Sequence, residues 1–387
     1  MSAPTPLYLD HNATTPVDPR VVDRMLPYFT EVFGNPASVE HVHGNRAQAA
    51  VKRAREQVAQ AIGARENEIV FTGSCTEANN LAILGAARAN PDKRHIVTTA
   101  VEHPSVLEPF RQLEREGWDI TVLGVDEQGT VAPADVAASL RADTLLVSVM
   151  GANNEVGTIQ PIEEIGDICA RAGVLFHSDL AQLLSCRKVD VATANIHLAS
   201  ISGHKLYGPK GVGALYVRSR SPRAKVAPIL FGGGQEKGLR PATVNVPLVV
   251  GLGEALLLAT RQCAADSARL AAMSGAFRDH IAAHLEGVSF NGHPTERLPG
   301  NSSISIAGVE PLALMHKLNP FASFSASSAC STEKVETSPV LLAMFGDSAR
   351  ARQAFRVSPG RFTDKVALMD FAQQLVAEAA QLRQFAG

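Results

Sequence analysis

The chain has 387 residues, of which 45% are hydrophobic and 19% charged, and its formal net charge is −2 at pH 7. This length and composition are typical of a soluble globular protein with one large and one smaller domain, and the low charge gives no reason to expect direct binding to nucleic acid or to an anionic membrane. The first residues lack the layout of a signal peptide, and no uninterrupted apolar span approaches about 18 residues, so we expect a cytoplasmic protein without a transmembrane helix.

Short apolar runs alternate with amphipathic stretches from about residue 69 to residue 217. Such alternation predicts crossover units and an α/β fold, in which a mostly parallel sheet lies between helices. The predicted strands are 68–71, 95–98, 120–123, 145–149, 174–176, 198–201 and 214–217. The predicted helices between them include 77–89, 133–140 and 162–172.

The remainder of the chain predicts a long connecting helix followed by a smaller α+β domain. Residues 245–286 carry an apolar pattern with helical spacing. After them come a strand at 302–306, a helix near 311–317, a strand near 356–357 and a closing helix at 365–385. We therefore expect a large domain over 16–260 and a small domain over 261–387, with residues 1–15 contributing to the small one.

Lys205 lies in a glycine-rich segment that follows a predicted strand, where a lysine on its own is better explained as a surface residue. Upstream, another strand ends at Asp179, and an acid at that end of a strand points into the crevice where α/β sheets bind ligands. A lysine that can form an imine and an acid that can pair with a protonated pyridine nitrogen are what pyridoxal phosphate requires. The pair therefore indicates a site for this cofactor.

The segment Phe71-Thr-Gly-Ser-Cys-Thr76 reads as a strand, a Gly/Ser turn and the start of a helix. Exposed N–H groups and a hydroxyl at a helix N-terminus form a ready site for an anion such as phosphate. The alternative is that Thr76 is an ordinary N-cap. Together with Lys205 and Asp179, the turn favours phosphate binding.

Motifs along nearly the whole chain resemble those of the cysteine desulfurases of the NifS/IscS group, within the class-V aminotransferase-like, fold-type-I pyridoxal-phosphate enzymes. Each motif is short, but their order and spacing are specific. They are Tyr8-Leu-Asp-His-Asn-Ala-Thr-Thr-Pro16, Gly34-Asn-Pro-Ala-Ser38, Glu102-His103, Asn153-Asn-Glu155, Ser202-Gly-His-Lys205, Gly232-Gly-Gly234, Arg356-Val-Ser358 and Gly360-Arg-Phe-Thr363.

The resemblance implies a role for each matching residue around the cofactor ring. Lys205 would hold pyridoxal phosphate as an imine, and Asp179 would pair with the ring nitrogen. Gln182 would hydrogen-bond the phenolic oxygen. His103 would stack on the ring and could act as a general acid–base, although without the family match a capping or core histidine is the simpler interpretation.

The resemblance also implies how the phosphate is held. Residues that would contact the cofactor there or close by are Cys75 (through its backbone), Thr76, Asn154, Ser202 and His204. Thr243, in the motif Arg240-Pro-Ala-Thr243, would reach the phosphate of a neighbouring subunit. That contact implies a homodimer with shared active sites.

For the substrate, the resemblance implies L-cysteine held by its carboxylate. Arg356 fits because a guanidinium binds a carboxylate through two parallel hydrogen bonds, with Asn154 and Asn35 as helpers. Arg356 lies in an apolar strand pattern, where an unpaired charge would be costly, so we expect a partner; the alternative role is a structural ion pair.

The five cysteines are odd in number and widely spaced, which argues against a disulfide framework and against a metal site. Cys330 differs from the others because it lies among small, hydroxylated and charged residues, a composition typical of an exposed loop. In an isolated case it would be an unremarkable surface residue; in the family motif it is the nucleophile that takes sulfur from the substrate. The product would be L-alanine and a persulfide on Cys330, passed on to an acceptor protein.

Four positions depart from the family pattern: Leu180, Ser327, Gln235 and Lys237. They remove no catalytic group, but they weaken the case for the general housekeeping enzyme and leave room for a dedicated role in nitrogenase maturation, tRNA thiolation or DNA phosphorothioation. The expected function overall is sulfur supply for iron–sulfur cluster assembly or for thio-modification of tRNA or DNA. The competing hypotheses are another fold-type-I enzyme, such as a selenocysteine lyase or an aminotransferase, and a non-catalytic sulfur-carrier scaffold.

Overall fold

The computed structural model describes residues 5–326 and 337–386, which form thirteen strands and twelve α-helices. The strands are β1 Leu7–Tyr8, β2 Ile69–Thr72, β3 His95–Thr99, β4 Asp119–Leu123, β5 Thr144–Ser148, β6 Leu175–Asp179, β7 Leu198–Ser202, β8 Gly213–Val217, β9 Val288–Asn291, β10 Ser302–Ile306, β11 Ala322–Ser323, β12 Ser325–Ala326 and β13 Ala354–Val357. The helices are α1 Pro19–Met25, α2 Pro27–Thr30, α3 Val42–Ala61, α4 Cys75–Ala89, α5 Pro104–Arg115, α6 Pro133–Ser139, α7 Ile162–Ala172, α8 Val246–His284, α9 Pro311–Leu318, α10 Pro339–Phe345, α11 Ala349–Arg352 and α12 Lys365–Ala386.

Seven of these strands form one sheet in the order β2-β8-β7-β6-β5-β3-β4. Only β8 runs antiparallel to its neighbours, and the inner strands β3, β5 and β7 are buried along their whole length. Burial on both faces agrees with the apolar centres of β3 and β5, although all three strands also carry buried His, Thr or Ser residues. The α/β, fold-type-I architecture with a mostly parallel seven-stranded sheet is confirmed, with strand ends shifted by a few residues at most.

The sheet places the predicted cofactor residues side by side. Asp179 is the last residue of β6, and its register partner on the parallel neighbour β7 is Ser200. Lys205 is the third residue after the end of β7. Two parallel strands ending at one edge therefore bring this acid and this lysine to the same crevice.

A second sheet, β12-β13-β10-β9, is antiparallel and packs against α9, α12 and the second half of α8. Its core is built around Phe277, Phe355 and Phe371. The N-terminal segment joins this part, because β1 pairs with β11 and Leu9 is buried in the same core. The boundaries 1–15, 16–260 and 261–387 stay a prediction.

Helix α8 connects the two cores. Its first half contributes Val249, Leu252 and Leu256 to the core under the large sheet, and its second half contributes Phe277 and Ile281 to the other core. By length and composition alone, this one described helix could cross a membrane, but half of its apolar stretch is buried inside the protein. We interpret it as a core helix, and the absence of a membrane helix stays a prediction.

Candidate active site

A cavity of about 340 Å³ opens at the C-terminal ends of β6 and β7. This volume lies within the range of small-molecule sites. The predicted site residues that line it are Cys75, Thr76, His103, Asn154, Asp179, Gln182, Ser202, His204, Lys205 and Arg356. Ten of the residues predicted from the sequence thus lie around one cavity, and they come from both sheets and from helix starts.

The Lys205 amine lies against the N-terminal segment. Its Nζ donates to the carbonyl oxygens of Asn12 (2.6 Å) and Ala13 (2.7 Å). Gln182 donates from Nε2 to the same Asn12 carbonyl at 2.8 Å. Residues 12 and 13 therefore form the wall that orients Lys205, a role that the sequence analysis did not predict.

The Asp179 carboxylate is 7% exposed and accepts three hydrogen bonds. Asn79 Nδ2 donates to Oδ2 at 2.7 Å, and the Ala181 N–H donates to Oδ1 at 2.9 Å. The Cys75 thiol donates to Oδ1 at 3.5 Å. Burial, and then the nearby Asp179 charge, raise the pKa of Cys75 well above its ordinary value, so Cys75 stays a protonated donor.

Two side-chain oxygens accept backbone N–H groups in the turn before α4. Ser74 Oγ accepts the Glu77 N–H at 3.0 Å, while Glu77 Oε2 accepts the Gly73 N–H at 2.8 Å. Ser74 is the N-cap, so the alternative interpretation of Thr76 as N-cap is wrong; Thr76 is the second helical residue. Arg240 Nε adds an ion pair to Glu77 Oε1 at 2.8 Å, which ties the Arg240–Thr243 motif to this turn.

The residues of the cavity fit pyridoxal phosphate. The Ser202 hydroxyl is buried and has no hydrogen-bond partner among the described residues, as expected of a group reserved for a ligand. It lines the same cavity as the first residues of α4, whose N–H groups lack carbonyl partners within the helix. A Cβ on Gly213 would lie 2.6 Å from the Ser74 carbonyl carbon, so only glycine lets β8 pass so close to the turn.

Both histidines at the cavity are held neutral by burial. His103 is the N-cap of α5, and burial lowers its pKa. His204 has its Nδ1 3.1 Å from Thr14 Oγ1; burial and the positive charge of Lys205 lower its pKa to about 4. The capping interpretation of His103 is thus correct locally, and the same ring also faces the cavity.

Arg356, on β13, is 6% exposed and already has partners, as predicted. Its Nη2 donates to Asp10 Oδ1 and its Nη1 to the Asn154 carbonyl, both at 2.7 Å. The remaining Nε is buried without a partner among the described residues. Arg356 therefore pairs with Asp10 and still has one N–H donor, Nε, for a ligand carboxylate.

Two of the predicted residues that the structure describes do not line the cavity. Asn35 is exposed, and its Oδ1 accepts the Ala37 N–H at 3.0 Å. Thr243 is exposed outside the cavity. Cys330 and Ser327 lie outside the described residues, although Ser325 and Ala326 line the cavity. Their roles stay predictions.

Several residues of the site were missed by the sequence analysis. Asn79 and Ser105 connect His103 to Asp179, and Asp10 pairs with Arg356. Glu155 lines the cavity and accepts a hydrogen bond from Ser338; burial raises its pKa to about 7. The described residues contain no cluster of three or more His, Cys, Asp or Glu suited to a metal ion.

Comparisons with known proteins agree with this geometry. Residues 7–355 match the family "Aminotransferase class-V". A relative from Anaeromyxobacter sp., "Cysteine desulfurase IscS", is 46% identical over 380 residues, which cover 98% of this chain and 94% of the relative. The "Cysteine desulfurase" of Mus musculus is 45% identical over 380 residues, covering 98% of this chain and 82% of that protein.

Solved structures give the same result. A "NifS-like protein" superposes with a TM-score of 0.90 at 31% identity and covers 97% of this chain and 100% of its own. A structure described as "SspA in complex with cysteine" has a TM-score of 0.81 at 34% identity, covering 92% of this chain and 100% of that one.

Proposed function

Because the chain belongs to the aminotransferase class-V family and, within it, to the pyridoxal-phosphate-dependent cysteine desulfurases, we propose that Lys205 and Cys330 are its two catalytic groups. The observation that carries this proposal is the single cavity shared by Lys205, Asp179 and Arg356 beside Ala326, four residues before Cys330. The comparisons favour this function over a lyase for selenocysteine, an aminotransferase or a non-catalytic scaffold.

In this proposal the chain holds the cofactor from three sides. Lys205 would bind its aldehyde, Asp179 its ring nitrogen and Gln182 its phenolic oxygen. The phosphate would lie at the start of α4, contacted by the residues Cys75, Thr76, Ser202, His204 and, close by, Asn154. When bound, the cofactor supplies a cationic ring that accepts the electron pair released at the substrate α-carbon.

The substrate would be oriented by its carboxylate. Arg356 offers its free Nε and a guanidinium plane already fixed by Asp10 and the Asn154 carbonyl. Lys205 would then remove the α-proton, since its amine lies in the same cavity with Asn12 and Ala13 as hydrogen-bond acceptors. We keep Asn35 as a proposed helper of substrate binding.

Cys330 would receive the sulfur. Its thiolate attacks the substrate sulfur, an S–S bond forms, and the C–S bond breaks with its electron pair left on the substrate carbon. Protonation of that carbon yields L-alanine, and the enzyme keeps a persulfide. Cys330 follows Ala326 by four residues, so it can reach about 14 Å from the cavity wall.

We also propose a cytoplasmic homodimer in which Thr243 contacts the phosphate of the neighbouring subunit. Support comes from the exposure of Thr243 and from the ion pair of Arg240 with Glu77, which holds this segment beside the phosphate turn. The persulfide sulfur would pass to an acceptor protein for iron–sulfur assembly, tRNA thiolation or DNA phosphorothioation. Direct contact with nucleic acid or membrane is not part of the proposal.

The test is Cys330→Ala, with Cys263→Ala on α8 as the matched control. We expect Cys330→Ala to bind pyridoxal phosphate and to show a visible absorption shift with L-cysteine, but to form no protein persulfide and to lose alanine production at least 100-fold. Cys263→Ala should behave like the parent protein. Full-rate alanine release by Cys330→Ala, or a persulfide found by mass spectrometry at another cysteine, would refute the assignment of Cys330.

A further inference from the structure

We propose that Thr15 is a positioning residue for Lys205, because its hydroxyl holds the backbone on both sides of the lysine. Thr15 belongs to the N-terminal motif of residues 8–16, to whose side chains the family resemblance assigned no role. The proposal rests on the proposed function only in taking Lys205 as the residue that binds the cofactor.

The Thr15 hydroxyl bridges two backbone groups that flank Lys205. It donates to the His204 carbonyl oxygen at 2.9 Å and accepts the Tyr207 N–H at 3.0 Å. One hydroxyl can do both, since it carries one donor hydrogen and two acceptor lone pairs. The Thr15 N–H donates to the same His204 carbonyl at 3.0 Å, and Thr15 is only 3% exposed. A single buried residue therefore fixes the turn that carries Lys205.

The same segment also contacts the far end of the lysine. Lys205 Nζ donates to the carbonyl oxygens of Asn12 at 2.6 Å and Ala13 at 2.7 Å. The four consecutive residues 12–15 thus contact both the amine of Lys205 and the backbone beside it. A shift of the turn relative to this segment would move the amine away from its hydrogen-bond acceptors.

The backbone of Tyr207 shows that the turn needs such support. Its φ is +60°, a left-handed conformation that residues other than glycine rarely adopt and that persists where the surroundings fix it. Two hydrogen bonds do so here, because Thr15 Oγ1 accepts the Tyr207 N–H and the Tyr207 carbonyl accepts the Asp18 N–H at 2.9 Å. Without the Thr15 hydroxyl, we expect the backbone after Lys205 to relax.

The side chain of Tyr207 is held separately, by Arg361. The guanidinium carbon of Arg361 lies 4.3 Å from the centre of the Tyr207 ring, and the Arg361 N–H donates to the Tyr207 hydroxyl. Arg361 is itself fixed by ion pairs with Asp18 at 3.1 Å and Asp266 at 2.8 Å. Removal of the Thr15 hydroxyl therefore releases the backbone of the turn and leaves the tyrosine ring anchored.

The test is Thr15→Val, which removes the hydroxyl at nearly constant volume, with Thr158→Val as the matched control. The Thr158 hydroxyl has the same two kinds of partner, because it donates to the Gln128 carbonyl at 2.6 Å and accepts the His293 N–H at 3.0 Å. Thr158 is 0% exposed and does not line the cavity. Urea denaturation should therefore show a similar loss of stability in both valine variants.

Cofactor binding should separate the two variants. Absorbance titration of the cofactor-free protein gives the affinity for pyridoxal phosphate, and mass spectrometry after borohydride reduction gives the fraction of Lys205 that carries it. We expect Thr15→Val to bind about tenfold more weakly or worse, Thr158→Val to stay within about twofold of the parent, and Thr15→Ser to restore binding. Equal affinity in the two valine variants would overturn the proposal.

Hydrogen exchange followed by mass spectrometry tests the contact in the parent protein itself. In a peptide that covers residues 203–208, the Tyr207 N–H should be protected with and without cofactor, and it should exchange about tenfold faster in Thr15→Val. Fast exchange at Tyr207 in the parent would overturn the proposal even if Thr15→Val failed to fold. If reduction instead left no cofactor on Lys205 of the parent, the proposed function would fail, while the exchange data would still show whether Thr15 holds the turn.

Discussion

At the scale of single residues, the site depends on buried polar groups that lack a hydrogen-bond partner among the described residues. Nη1 and Nη2 of Arg356 donate hydrogen bonds within the protein, whereas its Nε has no partner among the described residues. The Ser202 hydroxyl has none either. A buried polar atom without a partner costs about 1 to 3 kcal/mol, so such atoms persist where a ligand completes them. The two lie in one cavity, at the positions proposed for the substrate carboxylate and the cofactor phosphate.

Arg356→Lys should weaken cysteine binding. Lysine keeps the charge but loses the planar group that Asp10 and Asn154 orient, and one lost charge-assisted hydrogen bond of about 1.5 to 3 kcal/mol corresponds to an increase in KM of about 10- to 100-fold. The control is Arg352→Lys, whose side chain is exposed and pairs with Asp347. Steady-state kinetics with L-cysteine test this; an unchanged KM in Arg356→Lys would show that the carboxylate binds elsewhere.

The site residues that could be predicted from the sequence are those that a local sequence pattern marks. Lys205 and Asp179 each stand near the end of a strand, so the fold places them without knowledge of any contact. Asp10 and Arg356 are separated by 346 residues, and Asn79 and Asp179 by 100. No spacing along the chain marks such pairs, and only the packed structure shows them.

At the scale of elements, the start of α4 combines a stability device with the proposed phosphate site. The hydrogen bonds that Ser74 and Glu77 accept from backbone N–H groups hold the turn of residues 73–76 in shape, and Arg240 pairs with Glu77. The sequence predicts a strand, a turn and a helix here, with Thr76 as the alternative N-cap, whereas the N-cap is Ser74. Ser74 is chosen because its extended backbone directs Oγ to the Glu77 N–H, a detail that composition does not encode.

Ser74→Ala should therefore change two quantities at once. Loss of the N-cap should lower the free energy of unfolding by about 1 kcal/mol, and the loosened turn should weaken pyridoxal-phosphate binding severalfold. Ser348→Ala removes the matching cap of α11, where Ser348 Oγ accepts the Ala351 N–H at 3.2 Å, and should lower stability alone. Urea denaturation and absorbance titration with the cofactor measure the two effects. Equal cofactor affinity in both variants would place the phosphate away from this turn.

At the scale of the whole molecule, the N-terminal segment joins the two sheets at the site. Its strand β1 pairs with β11, its Asp10 pairs with Arg356 on β13, and its Asn12 carbonyl accepts from Lys205 beyond β7. The sequence predicts that residues 1–15 contribute to the small domain. The same few residues also form the wall behind Lys205. This arrangement depends on how the two cores meet across α8.

Buried titratable groups also set how the stability of the whole molecule varies with pH. Burial lowers the pKa values of His177 and His197 from 6.5 to about 4. Between these pH values the two rings are protonated in the unfolded state and neutral in the folded state. Stability from these groups is present above pH 6.5 and is lost as the pH falls toward 4. Burial raises the pKa of Glu102 to about 8 and that of Glu155 to about 7, so their contribution is present below about pH 4.5 and is lost as the pH rises through 7 to 8.

Burial also lowers the pKa of His204 to about 4, so three histidines outweigh the two carboxyls and stability should be greatest near pH 6.5. His177→Gln isolates the acid side. His177 lies fully buried between β5 and β7, with its ring nitrogens 2.8 Å from Ser148 Oγ and 3.0 Å from Ser200 Oγ. Between pH 6.5 and 4 this one group should remove about 3 kcal/mol from the parent protein, so His177→Gln should flatten the acid limb even if it is less stable at pH 7. His316→Gln, on the exposed side of α9, is the control. Chemical denaturation at half-unit pH steps with saturating cofactor gives the free energy of unfolding as a function of pH. Parallel acid limbs in His177→Gln and the parent would mean that His177 is protonated in the folded state. Only a ring that is neutral in the folded state makes unfolding take up a proton in this pH range.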